Sequence, residues 1–325
     1  MKSSHVTLGV MLAIAAFGCM GGVGAQVYPA KPVRVVVPFG AGGPADIYAR
    51  YLGQNLQMTL GQRFIVETRP GAGSIIGSEV VARSAPDGYT LLMMSNTHTV
   101  NESLVPKKPF ALMKDFVPVA PVNYSDLLLV VHPSLPARNV KELVQLARRQ
   151  KGALNYASSG TGTPYHMAGE LFKALAHVDI VHVPHKSSGD ARTSVLSGQV
   201  EMMLDAITTM APHAKAGRVR ALGTSGRTRS TVMPELPTIA EAGVKGYETT
   251  IWLGVVAPAG TPREVVERLN VEITKIATRP DVKDAWGKQG AIPLVMSSSE
   301  FQRYLVADIE KWAKVVKISG ARADR

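Results

Sequence analysis

Val33-Arg34-Val35-Val36-Val37-Pro38-Phe39-Gly40-Ala41-Gly42-Gly43-Pro44-Ala45-Asp46 is the stretch from which the fold is read. A β-branched run stops at Pro38 and a glycine-rich turn follows. The apolar residues Ile47, Tyr48, Tyr51, Leu52 and Leu56 then recur at helical spacing. That is a strand, a tight loop and a helix. Such a loop aims unpaired backbone N–H groups and the positive end of a helix dipole at one point, which suits a small anion. The same grammar returns twice. Residues 63–68 read as a strand before Arg69-Pro70-Gly71-Ala72-Gly73, and residues 154–158 as a strand before Ser159-Gly160-Thr161-Gly162-Thr163-Pro164. There Thr163 suits the helix cap and Pro164 the first helical position, making a second anion-ready loop.

Outward from these loops, strand patterns at 89–94, 127–131, 180–183, 200–204 and 219–224 alternate with amphipathic helices. The clearest helices carry Val140, Leu143, Val144 and Ala147; Met167, Leu171, Phe172 and Leu175; and Val265, Val266, Leu269, Ile273 and Ile276. A last one, with Phe301, Leu305, Ile309, Trp312 and Val316 in register, is expected to pack on the first domain. The alternation implies an α/β protein whose central sheets are mostly parallel and flanked by helices. The length favours two domains. No long linker separates them, so short crossings are expected near 122–126 and 247–252, giving residues 26–125 with 247–325 as one lobe and 126–246 as the other.

Residues 1–25 read as a secretory leader: Lys2, an apolar run over 6–17, and the small residues Val23 and Ala25 before a cut that leaves Gln26 first. A lipoprotein cut acylating Cys19 ranks lower, because Ala16 stands where a leucine is usual. Cys19 is the only cysteine, so the mature chain is expected to have no disulfide, no cysteine-based metal site and no thiol nucleophile. The chain carries 36 Lys and Arg against 25 Asp and Glu. Its basic residues are spread along the sequence and aromatics are few, which argues for a soluble basic surface and against nucleic-acid binding.

Other chemistries read weakly. Gly40 to Ala45, with Glu67 on the next strand, resembles a dinucleotide fingerprint, but Pro38 and Pro44 break its spacing. Ser158-Ser159-Gly160-Thr161-Gly162 has the wrong spacing for a nucleophile elbow. His182 and His185 flank Pro184 with no acidic or cysteine partner, so they read as surface or hinge histidines and no metal is expected. Met93, Met94, Met202 and Met203 read as core. Asp205, ending its strand, is either a brace or a cleft residue.

The ordered motifs resemble one family, the periplasmic Bug-type receptors of tripartite tricarboxylate transporters. The resemblance rests on 28–34 (Tyr-Pro-Ala-Lys-Pro-Val-Arg), 36–43 with Asp46 and Arg50, Leu60-Gly61-Gln62, 69–73 with Ile76-Gly77, and Pro86-Asp87-Gly88-Tyr89-Thr90-Leu91. It continues through Tyr156-Ala157-Ser158, 160–164 with His166, Ala168-Gly169-Glu170, His182-Val183-Pro184, Arg220-Ala221-Leu222, Leu236-Pro237-Thr238, Glu241-Ala242-Gly243 and 257–262. It implies a two-lobed periplasmic-binding-protein fold of the Venus-flytrap type, with no cofactor and no catalysis. The loop after the first strand and the loop of Gly160 to Thr163 would face each other and hold a carboxylate through backbone N–H groups and water. The residues expected at the ligand are Phe39, Ala41, Gly42, Gly43 and Asp46 from the first lobe, and Ser158, Gly160, Thr161, Thr163 and His166 from the second. Thr97 and His98, in the loop after the strand at 89–94, are expected at its distal end, and Asp205 is kept as a candidate.

Three departures bear on specificity: Thr68 for the family's Asn, Asn101-Glu102-Ser103 for its Asn-Pro, and His185-Lys186-Ser187 for its Tyr-Lys-Gly. The expected ligand is a dicarboxylate or tricarboxylate, an acidic amino acid or an aromatic acid. The expected partner is the membrane permease of a tripartite transporter, and the receptor is expected to be an exported monomer. An exported sensor of the same fold is the alternative and a dinucleotide-dependent enzyme a third. Valine at Gly42 is expected to block the loop, and alanine at Lys107 to do little.

Overall fold

The computed structural model describes residues 28–323. The leader, its cut after Ala25 and the alternative at Cys19 lie outside them. The chain begins as β1 (Val33–Val37), α1 (Pro44–Leu60), β2 (Phe64–Thr68), α2 (Ile75–Ala82), β3 (Thr90–Ser95), α3 (Asn96–Leu104), α4 (Leu112–Asp115) and β4 (Phe116–Val131). A second series follows: α5 (Val140–Arg149), β5 (Asn155–Ser158), α6 (Pro164–Ala176), β6 (Val181–Pro184), α7 (Ser188–Leu196), β7 (Met202–Ala206), α8 (Ile207–Lys215) and β8 (Arg220–Thr224). The chain returns through β9 (Thr250–Pro258), α9 (Arg263–Thr278), α10 (Pro280–Gln289), β10 (Ala291–Pro293) and α11 (Ser298–Ser319).

Both sheets are mixed. Strands β2, β1 and β3 are parallel, as are β7, β5 and β6, which is the pairing their intervening helices impose. Strands β4 and β9 run antiparallel to each other and to their neighbours. Alternation along each strand feeds a core on either face of its sheet. Val33, Val35 and Val37 pack with α1 and α9 on one side, and Val36 with Phe301 and Leu305 of α11 on the other. In the second sheet Leu127, Leu129 and Val131 face α5 and α6, while Leu128 and Val130 face α7 and α8. Met93, Met94, Met202 and Met203 are all fully buried.

One strand belongs to both sheets. Through Asp126, β4 pairs with β9; from Leu127 on, it pairs with β7 and β8. Sequence reading took 127–131 alone as a strand, whereas β4 starts at Phe116; the sheet absorbs Pro118 and Pro121 at two bulges in the β4–β9 register. The second crossing lies between Ser225 and β9. Ser225 ties the two crossings together. Its hydroxyl donates to Thr249 O (2.6 Å) and accepts from Leu127 N–H (2.7 Å), while its own N–H donates to Leu127 O (2.9 Å).

Three local readings change. Ile47 is 43% exposed, because the buried face of α1 runs through Tyr48, Leu52 and Leu56. Thr97 and His98, read as loop, lie in the buried helix α3, started by a capping box in which Ser95 accepts from Thr97 N–H and pairs with His98. Helix α11 packs on α3 of the first lobe and also on α6 of the second, with Trp312 between Val100, Leu104 and Met167.

The Ser225 clasp is fully buried, so Ser225→Ala strands the Leu127 N–H and the Thr249 carbonyl. The expected cost in urea unfolding is about 1–3 kcal/mol. An unchanged midpoint would show that the clasp contributes nothing.

Candidate functional site

Three helices begin at one cavity of about 590 Å³ between the two sheets, with none of their starts capped by a side chain. Helix α1 starts after Gly43, α2 after Ser74 and α6 after Thr163. The first N–H groups of a helix have no intrahelical partner, so these starts present donors and positive dipole ends to the cleft. Thr163 occupies the cap position that the sequence suggested, yet its hydroxyl donates to Gly160 O at 2.6 Å instead of capping. Helix α7 also starts here, but Ser187 satisfies its Asp190 N–H.

Among the described residues the cavity wall contains one Lys or Arg, Lys186, and no Asp or Glu. Phe39, Ile75, Val105, Ile251 and Leu253 supply apolar surface. Ser74, Asn101 and Tyr165 also line it; all three are buried, and Ser74 Oγ, Asn101 Oδ1 and Tyr165 OH have no hydrogen-bond partner among the described residues. Such groups cost free energy unless something pairs with them.

The two loops anticipated from sequence share one brace. Gly42 N–H donates to Asp46 Oδ2 at 3.0 Å, and Gly162 N–H donates to His166 Nδ1 at 3.1 Å. Asp46 and His166 each sit third in their helix, so each helix bends back to shape its own loop. Arg50 Nε holds the other Asp46 oxygen at 2.8 Å. Behind the second loop, Ser158 Oγ accepts from Gly160 N–H and lies 2.6 Å from His182 Nε2. The His182 ring stacks on Tyr156 and tilts against His166. The α2 loop is braced differently. Gly71, Ala72, Gly73 and Ser74 all have positive φ, and Asn101 Nδ2 donates to Gly73 O at 2.8 Å. Ala72 and Ser74 pay for that conformation with strain, which clusters at ligand clamps.

The lobes are closed on each other. A Cβ at Gly40 would lie 2.5 Å from Ser187 Cβ, and one at Gly43 would lie 2.6 Å from Ser188 Oγ. A Cβ at Gly73 would meet Thr161 O at 2.8 Å, and one at Gly162 would meet Asn101 Oδ1 at 2.7 Å. Glycine is required there for approach. At Gly42 a Cβ meets nothing within 4 Å, so valine there would not block the cleft; it would strain a loop held at φ +75°.

Of the residues anticipated at the ligand, Phe39, Gly43, Gly160, Thr161 and Thr163 line the cavity. Ala41, Gly42, Asp46, Ser158 and His166 do not; they form or brace the loops. Thr97 and His98 are buried inside the first lobe. Thr97 caps into Ser95, and His98 places Nε2 2.9 Å from Ser78 Oγ, Nδ1 3.1 Å from Ser95 O and its ring edge-on to Phe39. Asp205 is fully buried, takes Arg192 Nε at 2.7 Å, and lies off the cavity wall, resolving its two readings in favour of the brace. His182 and His185 are not merely surface groups: His182 sits behind the second loop beside Ser158, and His185 lines the cleft. Glu67 pairs with Arg69 and Arg34 away from the cavity, where it cannot serve a dinucleotide ribose in this cleft. Sequence reading found the α2 loop as strand, Pro-Gly-Ala-Gly and helix, but named none of its residues at the ligand, whereas Pro70 to Ile75 line the cavity. It marked Asn101 and Lys186 only within departures that bear on specificity, and it named neither Tyr165 nor Leu253 at the site, since these carry no local signature.

Burial, with Lys108 nearby, lowers the His98 pKa to about 4 from its ordinary 6.5. The unfolded chain therefore binds the proton first, and the stability His98 contributes is lost as pH falls from about 6.5 to 4. Asp126, pushed up to about 6 by burial and Glu248, acts with the opposite sign in an overlapping window. The His98 contribution is thus the difference between wild type and His98→Gln: melting temperatures should fall less steeply for the variant over that range. Parallel curves would refute the assignment.

The chain matches the tripartite tricarboxylate transporter family receptor (TctC) over residues 48–321. It is 39% identical over 292 residues, 90% of this chain and 87% of the relative, to the "UPF0065 protein in tcbD-tcbE intergenic region" of Pseudomonas sp.. Among solved structures it is similar to R. palustris Rpa4515 with adipate, at 34% identity and TM-score 0.88, covering 91% of this chain and 99% of that one. It is also similar to the periplasmic binding protein BugD, at 31% identity and TM-score 0.86, with the same coverage. BugD is a periplasmic binding protein and the matched family is one of receptors, so the chain has the two-lobed periplasmic-binding-protein fold of a solute-binding receptor, not an enzyme. The chain belongs to the tripartite tricarboxylate transporter family receptors of the Bug type.

Proposed function

We propose that this protein is an exported receptor that captures a small organic carboxylate between its lobes, closes on it and presents it to the membrane subunits of a tripartite transporter. The observation that carries the reading is the convergence of three uncapped helix starts on one interlobe cavity, in whose wall no acidic side chain stands among the described residues. A carboxylate satisfies such donors, and water leaves the cleft as the lobes meet. The adipate in R. palustris Rpa4515 supports the ligand class. The receptor family supports the transporter. The sequence of residues 1–25 supports export, and among the described residues no helix is long and apolar enough to cross a membrane.

In this reading the lobes, residues 26–125 with 247–325 and residues 126–246, move about β4 and the Ser225 clasp. Backbone groups grip the ligand, while Asp46, His166 and Ser158 hold the gripping loops in shape. Closure depends on Gly40, which has ordinary backbone freedom but no room opposite Ser187.

The test is to refold residues 26–325 free of carried ligand and follow melting temperature against a panel of carboxylates, with NAD as control. A ligand specific to the folded state raises the midpoint once its concentration passes its dissociation constant. Adipate or another carboxylate should do so. Gly40→Val should weaken that binding by about tenfold or more while leaving the ligand-free melting temperature in place, and Lys107→Ala should change neither. A response to NAD alone, or to no carboxylate, would reject the proposal.

A further inference from the structure

We infer that the stretch following α11 forms one side of the ligand cleft and that Ala323 governs how long a ligand fits there. This rests on the carboxylate-receptor reading above and adds to it a residue that sets ligand size.

Helix α11 ends so as to deliver its chain to the cleft. Gly320, at φ +67°, takes the left-handed conformation that turns a chain off the helix axis, and its N–H donates to Val316 O at 3.1 Å. Ala321 N–H then donates to Ser319 Oγ at 3.3 Å. Beyond the turn the residues alternate. Ala321 and Ala323 pack on the cluster of Val100, Leu104, Met167 and Trp312, while Arg322 between them is exposed. Val100 and Leu104 belong to the first lobe and Met167 to the second, so the stretch is seated where the lobes meet. Ala323 reaches the cavity and lines it together with Val105.

This placement has two consequences for a ligand. A side of the cleft made by these residues keeps water from the ligand and adds apolar contact, both of which are lost without it. The second consequence concerns length. The helix starts hold the carboxylate, and the rest of the ligand takes the volume that the wall leaves. A larger side chain at 323 subtracts from that volume, which a short body tolerates and a long one does not.

The test titrates succinate, adipate, suberate and the tightest carboxylate of the melting panel, by calorimetry, into refolded residues 26–325 and three variants. The variants are a deletion of residues 321–325, Ala323→Leu and Arg322→Ala, each checked for folding by its ligand-free melting temperature. The deletion should weaken every carboxylate that the wild type binds by about fivefold or more. Ala323→Leu should weaken the longest bound ligand by about tenfold or more and shorter ones less, and Arg322→Ala should change none. Should the deletion fail to fold, Ala323→Leu decides alone. Unchanged or tighter binding after the deletion, an undiminished affinity of Ala323→Leu for the longest ligand, or an equal loss in Arg322→Ala overturns the inference and leaves the receptor reading intact. A wild-type chain that binds no carboxylate removes the receptor reading, and the inference with it.

Discussion

A helix cannot satisfy its own first N–H groups, and this protein arranges three helices so that the deficit falls in one place. At four other helices a side chain closes that gap: Ser95, Asn139, Ser187 and Ser297 each accept from the first turn. Helices α4, α8, α9 and α10 are uncapped too, but only α1, α2 and α6 start uncapped at the cavity. Pro44 and Pro164 each remove one donor and preset the helical φ, so the remaining groups point into the cleft without a competing side chain. The glycines follow from this constraint. Loops that bring three helix starts together from two lobes must pass backbone against backbone, and Gly40, Gly43, Gly73 and Gly162 are the positions where a Cβ would stand in the way.

Holding those loops still falls to residues that never reach the cavity. Asp46 and His166 perform the same operation from opposite lobes, each taking a glycine N–H from the loop that precedes its helix. The repetition explains why an acid and an imidazole can fill equivalent places: the task is to accept one hydrogen bond at a fixed distance. Behind them, the Ser158–His182–Tyr156 stack and the Ser78–His98–Ser95 network fix the second and first lobes respectively. A site built on backbone donors gains precision from such buried supports.

The two sheets share one strand, β4. Because β4 runs through both, a change in lobe angle must be taken up at the Asp126–Leu127 junction and at the neighbouring return, where Ser225 binds both crossings. Helix α11 adds a third link, anchored in the first lobe through Asp308, which accepts from Thr99 and Trp252, and touching the second through Trp312 and Met167.

The strand, glycine loop and helix units were legible because each is local: β-branched runs, glycine and proline punctuation and helical periodicity are set by near neighbours. The two anion-ready loops, the fold and the family followed from them. What the sequence could not separate was a residue that shapes a loop from one that faces the ligand, since Asp46 and Thr163 look equally suitable on paper. Nor could it see that 96–104 is a buried helix, because its polar residues are satisfied by partners as distant as Thr250 and Asp308. The wall of the cavity was decided only by tertiary structure. Val105, Tyr165, Lys186 and Leu253 become neighbours when two lobes close, and that convergence depends on sheet topology and the β4 crossing, which no local pattern encodes.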